Sequence, residues 1–196
     1  MVKNKRLFRK VSIIGLGLIG SSIALAIKRK NLAQVTSGYS RSLKTRNAAK
    51  KLKITDKIEN NIGNCVKDSD LVIICTHLNS YKSIFKKISP YLSGKTIVSD
   101  VGSAKESAIA SVEKFTQNKI NFVPAHPIAG TEKSGPSAGF AELFENRWCV
   151  ITPLKNNTSK DINIIKIFWK KLGSKVEIMT PSRHDRVMAI TSHLPH

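Results

Sequence analysis

Apolar runs alternate along the chain with segments whose apolar positions recur at helical spacing. Val11–Gly15, Val35–Tyr39, Leu71–Cys75, Thr96–Asp100, Asn121–Ala125, Cys149–Thr152 and Val176–Met179 read as strands. Several are continuously apolar, as strands buried on both faces are. Ile19–Lys30, Leu43–Leu52, Ser80–Ile88, Ala104–Phe115 and Ile162–Leu172 read as helices, with Gly94 and Gly173 at helix ends and Pro90 in a turn. Strands alternating with helices predict an α/β fold built on a doubly wound, mostly parallel sheet.

Two places break the rhythm. Between Ala125 and Arg147 lie about 20 residues carrying Pro127, Gly130, Gly135, Pro136 and Gly139, and so long a loop in a compact domain is usually functional. Within it, Ser137–Phe144 carries the pattern of a short helix. Near the end, Ser182-Arg183-His184-Asp185 reads as a capping box with Asp185 in the usual place of Glu or Gln. It opens a helix through Val187, Met188, Ile190 and Thr191 that reaches His196 with its apolar face only begun. The expected division is a dinucleotide-binding domain over residues 1–180 and the start of a linker helix over 181–196, in a chain truncated before a further domain.

The dinucleotide enters because of the first turn, Gly15-Leu16-Gly17-Leu18-Ile19-Gly20, in G-x-G-x-x-G register between strand and helix. Gly15 allows the tight turn, Gly17 the close approach of backbone to a pyrophosphate, and Gly20 close packing of helix on strand. The phosphates would rest on the helix N-terminus. This predicts a Rossmann-like NAD(P)-binding domain. About 20 residues further on an NAD site wants Asp or Glu for the ribose hydroxyls. Here Ser40-Arg41-Ser42 stands in that place, and no Asp or Glu occurs from Met1 to Thr55. Ser40, Arg41 and Lys44 offer donors for a 2′-phosphate, so NADP is favoured over NAD. The expected cofactor-binding set is Gly15, Leu16, Gly17, Leu18, Ile19, Gly20, Ser40, Arg41, Cys75, Thr76 and Gly102.

Composition narrows the partners. The 196 residues suit one domain with a sizeable core, and 33 Lys and Arg against 13 Asp and Glu give a net charge of +20. Lysine is scattered over every helical segment without an aromatic-interleaved stripe or a recognition motif. The charge reads first as a Lys-rich surface of compositional bias; no nucleic-acid partner is expected, and the other reading is a field that attracts anionic small molecules. Cys65, Cys75 and Cys149 are odd in number and unpaired in spacing. Cys75 and Cys149 lie in apolar runs and read as buried thiols in a reducing compartment. No metal-ligand spacing occurs. The basic stretch Lys3 to Lys10 before the uncharged Val11 to Ile27 has the outline of a signal peptide. Three glycines in phosphate-loop register interrupt that run, and the alternating series needs it as its first strand, so a cytoplasmic protein is expected. No segment approaches the roughly 18 apolar residues that span a bilayer, and no membrane partner is expected.

In open α/β sheets ligands bind outside the carboxyl ends of the strands. The turns there include Cys75-Thr76-His77-Leu78-Asn79, Asp100-Val101-Gly102-Ser103-Ala104-Lys105 and the segment from Ala125 to Gly135. Ser103 and His126 end neighbouring predicted strands on that side. A neutral imidazole there accepts a proton from a substrate hydroxyl as hydride leaves the same carbon. The Ser103 hydroxyl would orient the imidazole or bridge to a nicotinamide, and it also fits a helix N-cap. Taken alone, Glu132 reads as a solvated loop acid, and His77, His184 and His193 as surface or capping residues.

Together the glycine loop with Ser21-Ser22, Asp100-Val101-Gly102-Ser103, His126-Pro127-Ile128-Ala129-Gly130-Thr131-Glu132-Lys133-Ser134-Gly135 and Ser192-His193-Leu194-Pro195-His196 resemble the prephenate/arogenate dehydrogenases of tyrosine biosynthesis. The resemblance implies oxidative decarboxylation of a cyclohexadienol, prephenate or arogenate. Hydride passes to the nicotinamide, carbon dioxide is lost and the ring becomes aromatic. It further implies His126 and Ser103 as catalytic residues, and Ser103, Thr131, Glu132 and His196 as substrate-binding. His184 and Asp185 match a polar pair on the connecting helix. The family continues into a helical domain that forms a homodimer and supplies an Arg for a substrate carboxylate. Two rivals are a β-hydroxyacid dehydrogenase of the 6-phosphogluconate type, which does not account for the His126–Glu132 motif, and a non-catalytic NAD(P)-binding sensor.

Overall fold

The computed structural model describes residues 6–116 and 120–193. Its first half alternates β1 (Phe8–Ile14), α1 (Leu18–Arg29), β2 (Ala33–Tyr39), α2 (Leu43–Lys51), β3 (Lys57–Ile58), α3 (Ile62–Val66), β4 (Leu71–Ile74) and α4 (Tyr81–Ile88). Then come β5 (Ile97–Asp100), α5 (Lys105–Thr116), β6 (Asn121–Phe122), β7 (Ala125–Pro127), β8 (Trp148–Ile151), α6 (Ser159–Lys171), β9 (Lys175–Ile178) and α7 (Pro181–His193). Six strands form a parallel sheet in the order β3-β2-β1-β4-β5-β6. That is the doubly wound arrangement, and its order reverses between β1 and β4, where a crevice opens at the strands' carboxyl ends.

Both faces of the sheet are covered. Val11, Ile13, Leu71 and Ile73 pack with Ile23 and Ile27 of α1 and Phe168 and Trp169 of α6. Ile14, Val72, Ile74 and Val98 face the other way, onto Phe85 of α4 and Ala108 and Val112 of α5. This is why the strand segments read as continuous apolar runs.

The fold departs from the expected single sheet at its far edge. The predicted strand Asn121–Ala125 is split: β6 pairs with β5, whereas β7 belongs to a second sheet, antiparallel to β8. β8 pairs in parallel with β9, giving the order β7-β8-β9. Pro124, which has no N–H for a ladder, separates the two strands. The next donor, the Ala125 N–H, goes 3.2 Å to the side-chain Oδ1 of Asp100. Short elements carrying little pattern, β3 and α3, were not predicted, and Gly94 sits in a turn rather than at a helix end. Within the long loop only Pro136–Ala138 is helical, as a single 3₁₀ turn. The loop is pinned to α1, where Ser22 Oγ accepts the Phe140 N–H at 3.1 Å and Arg29 pairs with Glu142 and Glu145.

The expected capping box at Ser182 is not formed. Thr180 Oγ1 accepts the Arg183 N–H at 3.3 Å, and Pro181 takes the first helical position, where its missing N–H costs nothing. Asp185 is used elsewhere. Its two oxygens accept the N–H groups of Lys105 at 2.8 Å and Glu106 at 3.0 Å, so α7 caps the N-terminus of α5 across 80 residues of sequence.

Candidate active site

The glycine loop sits at the crevice. Gly15 adopts φ +99°, and a Cβ there would stand 2.3 Å from the Cys75 carbonyl oxygen. A Cβ on Gly20 would stand 1.9 Å from the Gly15 oxygen, whereas one on Gly17 would meet no atom within 4 Å. The first and third glycines thus serve the packing of loop, helix and β4, and the second leaves space above the loop. The N-terminus of α1 has no side-chain cap and no acidic residue in its first turn, so its N–H groups face that space uncompensated. Thr76 Oγ1 is buried without a hydrogen-bond partner, and its Cγ2 would lie 2.9 Å from a Cβ on Gly15. A capless helix end and an orphaned hydroxyl beside it fit a polar ligand with phosphate groups. Cys75 is only half-buried, unlike Cys149, and closes the same side of the loop. Leu16 is turned into the core, while Leu18 and Ile19 pack against its edge.

After β2, Ser40 is half-buried, while Arg41 and Lys44 are exposed. Arg46 lies over the Tyr39 ring at 5.9 Å and donates through Nη1 to the carbonyls of Ser40 at 2.6 Å and Arg41 at 3.1 Å, holding this turn in place. Asp56, the first carboxylate in the sequence, is committed to the N–H and hydroxyl of Thr36, both at 2.7 Å.

The ends of β5 and β7 carry a buried polar network. Asp100 and Lys105 are both fully buried and form an ion pair at 2.7 Å. Tyr81, at the start of α4, donates its hydroxyl to Asp100 Oδ2 at 2.8 Å, and the Gly102 N–H does so at 3.0 Å. Burial and the adjacent Asp100 carboxylate hold the Tyr81 phenol far above its ordinary value.

His126 lies on β7, half-buried, with Nδ1 2.9 Å from His184 Nε2. His184 in turn places Nδ1 2.7 Å from Asp185 Oδ1. Burial raises the Asp185 carboxyl but is outweighed by the N–H groups of Lys105 and Glu106 and by His184, so the group titrates below its ordinary value. An ionised carboxylate only accepts, so neutral His184 carries its proton on Nδ1 and accepts at Nε2. His126 must then donate through Nδ1, which leaves the Nε2 lone pair free to act as a base. Burial first, then the charge of Lys105, pushes the His126 imidazole down to about 4. The ring is therefore neutral at physiological pH.

Not every expected residue joins this group. Ser103 is exposed in the turn between β5 and α5, and no hydrogen bond links it to His126 among the described residues. Nor is it the helix cap, since Asp185 takes that part. Thr131 and Glu132 are exposed, and the Thr131 hydroxyl accepts the Lys133 N–H at 3.2 Å. His196 lies outside the described residues. His184, expected at the surface or as a cap, is fully buried and holds the base. Asp100, Lys105 and Tyr81 were missed as well, although one signal existed: a carboxylate closing the otherwise uncharged run Ile97-Val98-Ser99. Among the described residues no group of three or more His, Cys, Asp or Glu stands together as a metal site, and no helix is long and apolar enough to cross a membrane.

Comparison with known proteins agrees with this geometry. Residues 23–178 match the family model described as "Prephenate dehydrogenase, nucleotide-binding domain". The chain is 38% identical over 189 residues to a cyclohexadienyl dehydrogenase of Zymomonas mobilis, covering 96% of this chain and 64% of that protein. A crystal structure of Aquifex aeolicus prephenate dehydrogenase in complex with hydroxyphenyl propionate and NAD+ is similar at a TM-score of 0.87 and 32% identity, over 96% of this chain and 65% of that one. The structure of Synechocystis arogenate dehydrogenase is similar at a TM-score of 0.86 and 28% identity, over 95% of this chain and 65% of that one. The chain thus spans just under two thirds of the length of these proteins, and it belongs to the prephenate dehydrogenase family, whose nucleotide-binding domain it carries.

Proposed function

We propose that this chain is the cofactor-binding and base-bearing part of an NADP-dependent prephenate or arogenate dehydrogenase. The observation that carries the reading is the His126–His184–Asp185 chain, which leaves a neutral imidazole with a free Nε2 at the carboxyl ends of the strands. The family membership, the glycine loop and the unpartnered Thr76 hydroxyl support a nicotinamide dinucleotide at the crevice. Gly15, Gly17 and Gly20 with the start of α1 would hold its pyrophosphate, and Cys75, Thr76 and Gly102 would border it. The nicotinamide, when bound, supplies the hydride acceptor.

His126 Nε2 accepts the proton of the substrate hydroxyl as hydride leaves the carbon that bears it. Loss of carbon dioxide then returns an electron pair to the ring, and the same nitrogen gives the proton back to the oxygen of the phenol. His184 and Asp185 keep that nitrogen unprotonated between turnovers. Ser103, Thr131 and Glu132, all exposed, would contact the substrate. The favourable energy of aromatisation leaves the protein chiefly with positioning and proton transfer.

For the cofactor, the absence of a carboxylate after β2 and the exposed cations Arg41 and Lys44 favour NADP. Asp56, tied to Thr36, does not replace the missing ribose ligand.

The test is stoichiometry in a protein that carries the further third present in the relatives. Incubated with prephenate or arogenate, it should yield one reduced cofactor and one carbon dioxide per aromatic product. Absence of turnover with both substrates overturns the reading.

A further inference from the structure

The proton transfer above makes no use of the Asp100–Lys105 pair, although both side chains are fully buried and such burial is costly for two charges. The geometry shows what the pair holds together. Lys105 lies two residues beyond Ser103, in the first turn of α5. Its three ammonium protons meet three acceptors: both oxygens of Asp100 at 2.7 Å and the Ala125 carbonyl at 2.8 Å. That carbonyl belongs to the peptide joining Ala125 to His126. Asp100 also takes the N–H of Ala125 at 3.2 Å and that of Gly102, next to Ser103, at 3.0 Å. β5 and β7 belong to different sheets and share no ladder. The pair joins the turn bearing Ser103 directly to the strand bearing His126, beside the longer link through His184 and Asp185 of α7.

We propose that Lys105, paired with Asp100, is a positioning residue for His126. It clamps the Ala125–His126 peptide to the end of β5 and fixes a positive charge beside the imidazole, so that the ring stays an uncharged proton acceptor. The other titratable groups around the ring are Asp100 on β5 and His184 and Asp185 on α7. The two carboxylates act against Lys105, whose influence is the stronger. The inference builds on His126 as the base, but the property it concerns, the protonation of His126, is measurable without catalysis.

The experiment is a pH titration of isotope-labelled histidine by NMR on this chain, with the His126 signal assigned through His126→Asn. The wild-type midpoint should lie well below the ordinary histidine value, near 4. Lys105→Met should raise it by about one unit or more. Lys105→Met alone strands a buried carboxylate, so the double variant Asp100→Asn with Lys105→Met removes both charges and keeps the test available if the single variant fails to fold. It too should raise the midpoint, because the stronger influence leaves with the weaker one. Lys105→Arg, which retains the charge, should keep it low. A midpoint unmoved in a folded Lys105→Met or double variant, or a wild-type midpoint at the ordinary value, overturns the proposal. A raised midpoint in a protein that turns over neither substrate upholds the proposal while the dehydrogenase reading falls.

Discussion

His126 Nδ1 and His184 Nε2 stand 2.9 Å apart, one ring on β7 of the small sheet and the other on α7. The last helix is therefore part of the site. His184→Ala removes the acceptor that fixes the His126 tautomer. In the wild type, nitrogen chemical shifts should report Nδ1 of His126 protonated and Nε2 bare. The variant should show a mixture, and in a protein carrying the relatives' further region kcat should fall by about 10²-fold or more. A wild-type ring protonated on Nε2 contradicts the arrangement.

The glycines of the first turn should separate folding from binding. Gly20→Ala drives a Cβ into the Gly15 carbonyl oxygen and should destabilise by about 3 kcal/mol or more. Gly17→Ala meets nothing in the unliganded chain and should leave the melting temperature nearly unchanged. Its methyl group occupies the space assigned to the pyrophosphate, so NADP⁺ affinity measured by calorimetry should fall at least tenfold. Full affinity in Gly17→Ala would place the dinucleotide elsewhere.

Selectivity rests on Arg41. Arg41→Asp should weaken NADP⁺ binding by about tenfold or more, the worth of a charge-assisted contact to phosphate. NAD⁺ binding should change far less. Equal losses for both cofactors would remove Arg41 from the 2′-phosphate site.

Two groups should make the fold acid-sensitive. His126 titrates at about 4 in the folded chain against an ordinary 6.5, so the unfolded chain takes up the proton first. Stability is full above about 6.5 and declines as pH falls toward 4, by up to about 3 kcal/mol. Asp185 also titrates low, so its contribution is present above the ordinary carboxylate range and is lost only as pH falls through its depressed value. Thermal unfolding between pH 7 and 4 should show the decline, and His126→Asn should flatten it. Asp185→Ala should cost about 1 kcal/mol near neutrality, as a lost helix cap does, and nothing further in strong acid.

Much of this was legible because local pattern and tertiary role coincide. The apolar runs became β1, β4 and β5, and the glycine spacing announced its own turn because Gly20 answers to a backbone atom a few residues away and Gly15 to the neighbouring strand. His126 stood out through its motif. The roles of Asp185, His184 and Lys105 were not legible, because each is defined by a partner far along the chain. Asp185 matches a cap for its own helix and caps α5 instead, and no periodicity records that 80-residue reach. The split at Pro124 was visible as a proline within an apolar run, but its consequence, a second sheet, depends on where β8 lies.

The central claim is that His126 is the base of a nicotinamide-dependent dehydrogenase, and absorbance at 340 nm tests it most directly. In a protein carrying the relatives' further third, prephenate or arogenate with NADP⁺ should give steady reduction of the cofactor. His126→Asn should lower kcat by about 10²- to 10⁴-fold while cofactor affinity stays at the wild-type value. A His126→Asn enzyme with undiminished kcat would contradict the account.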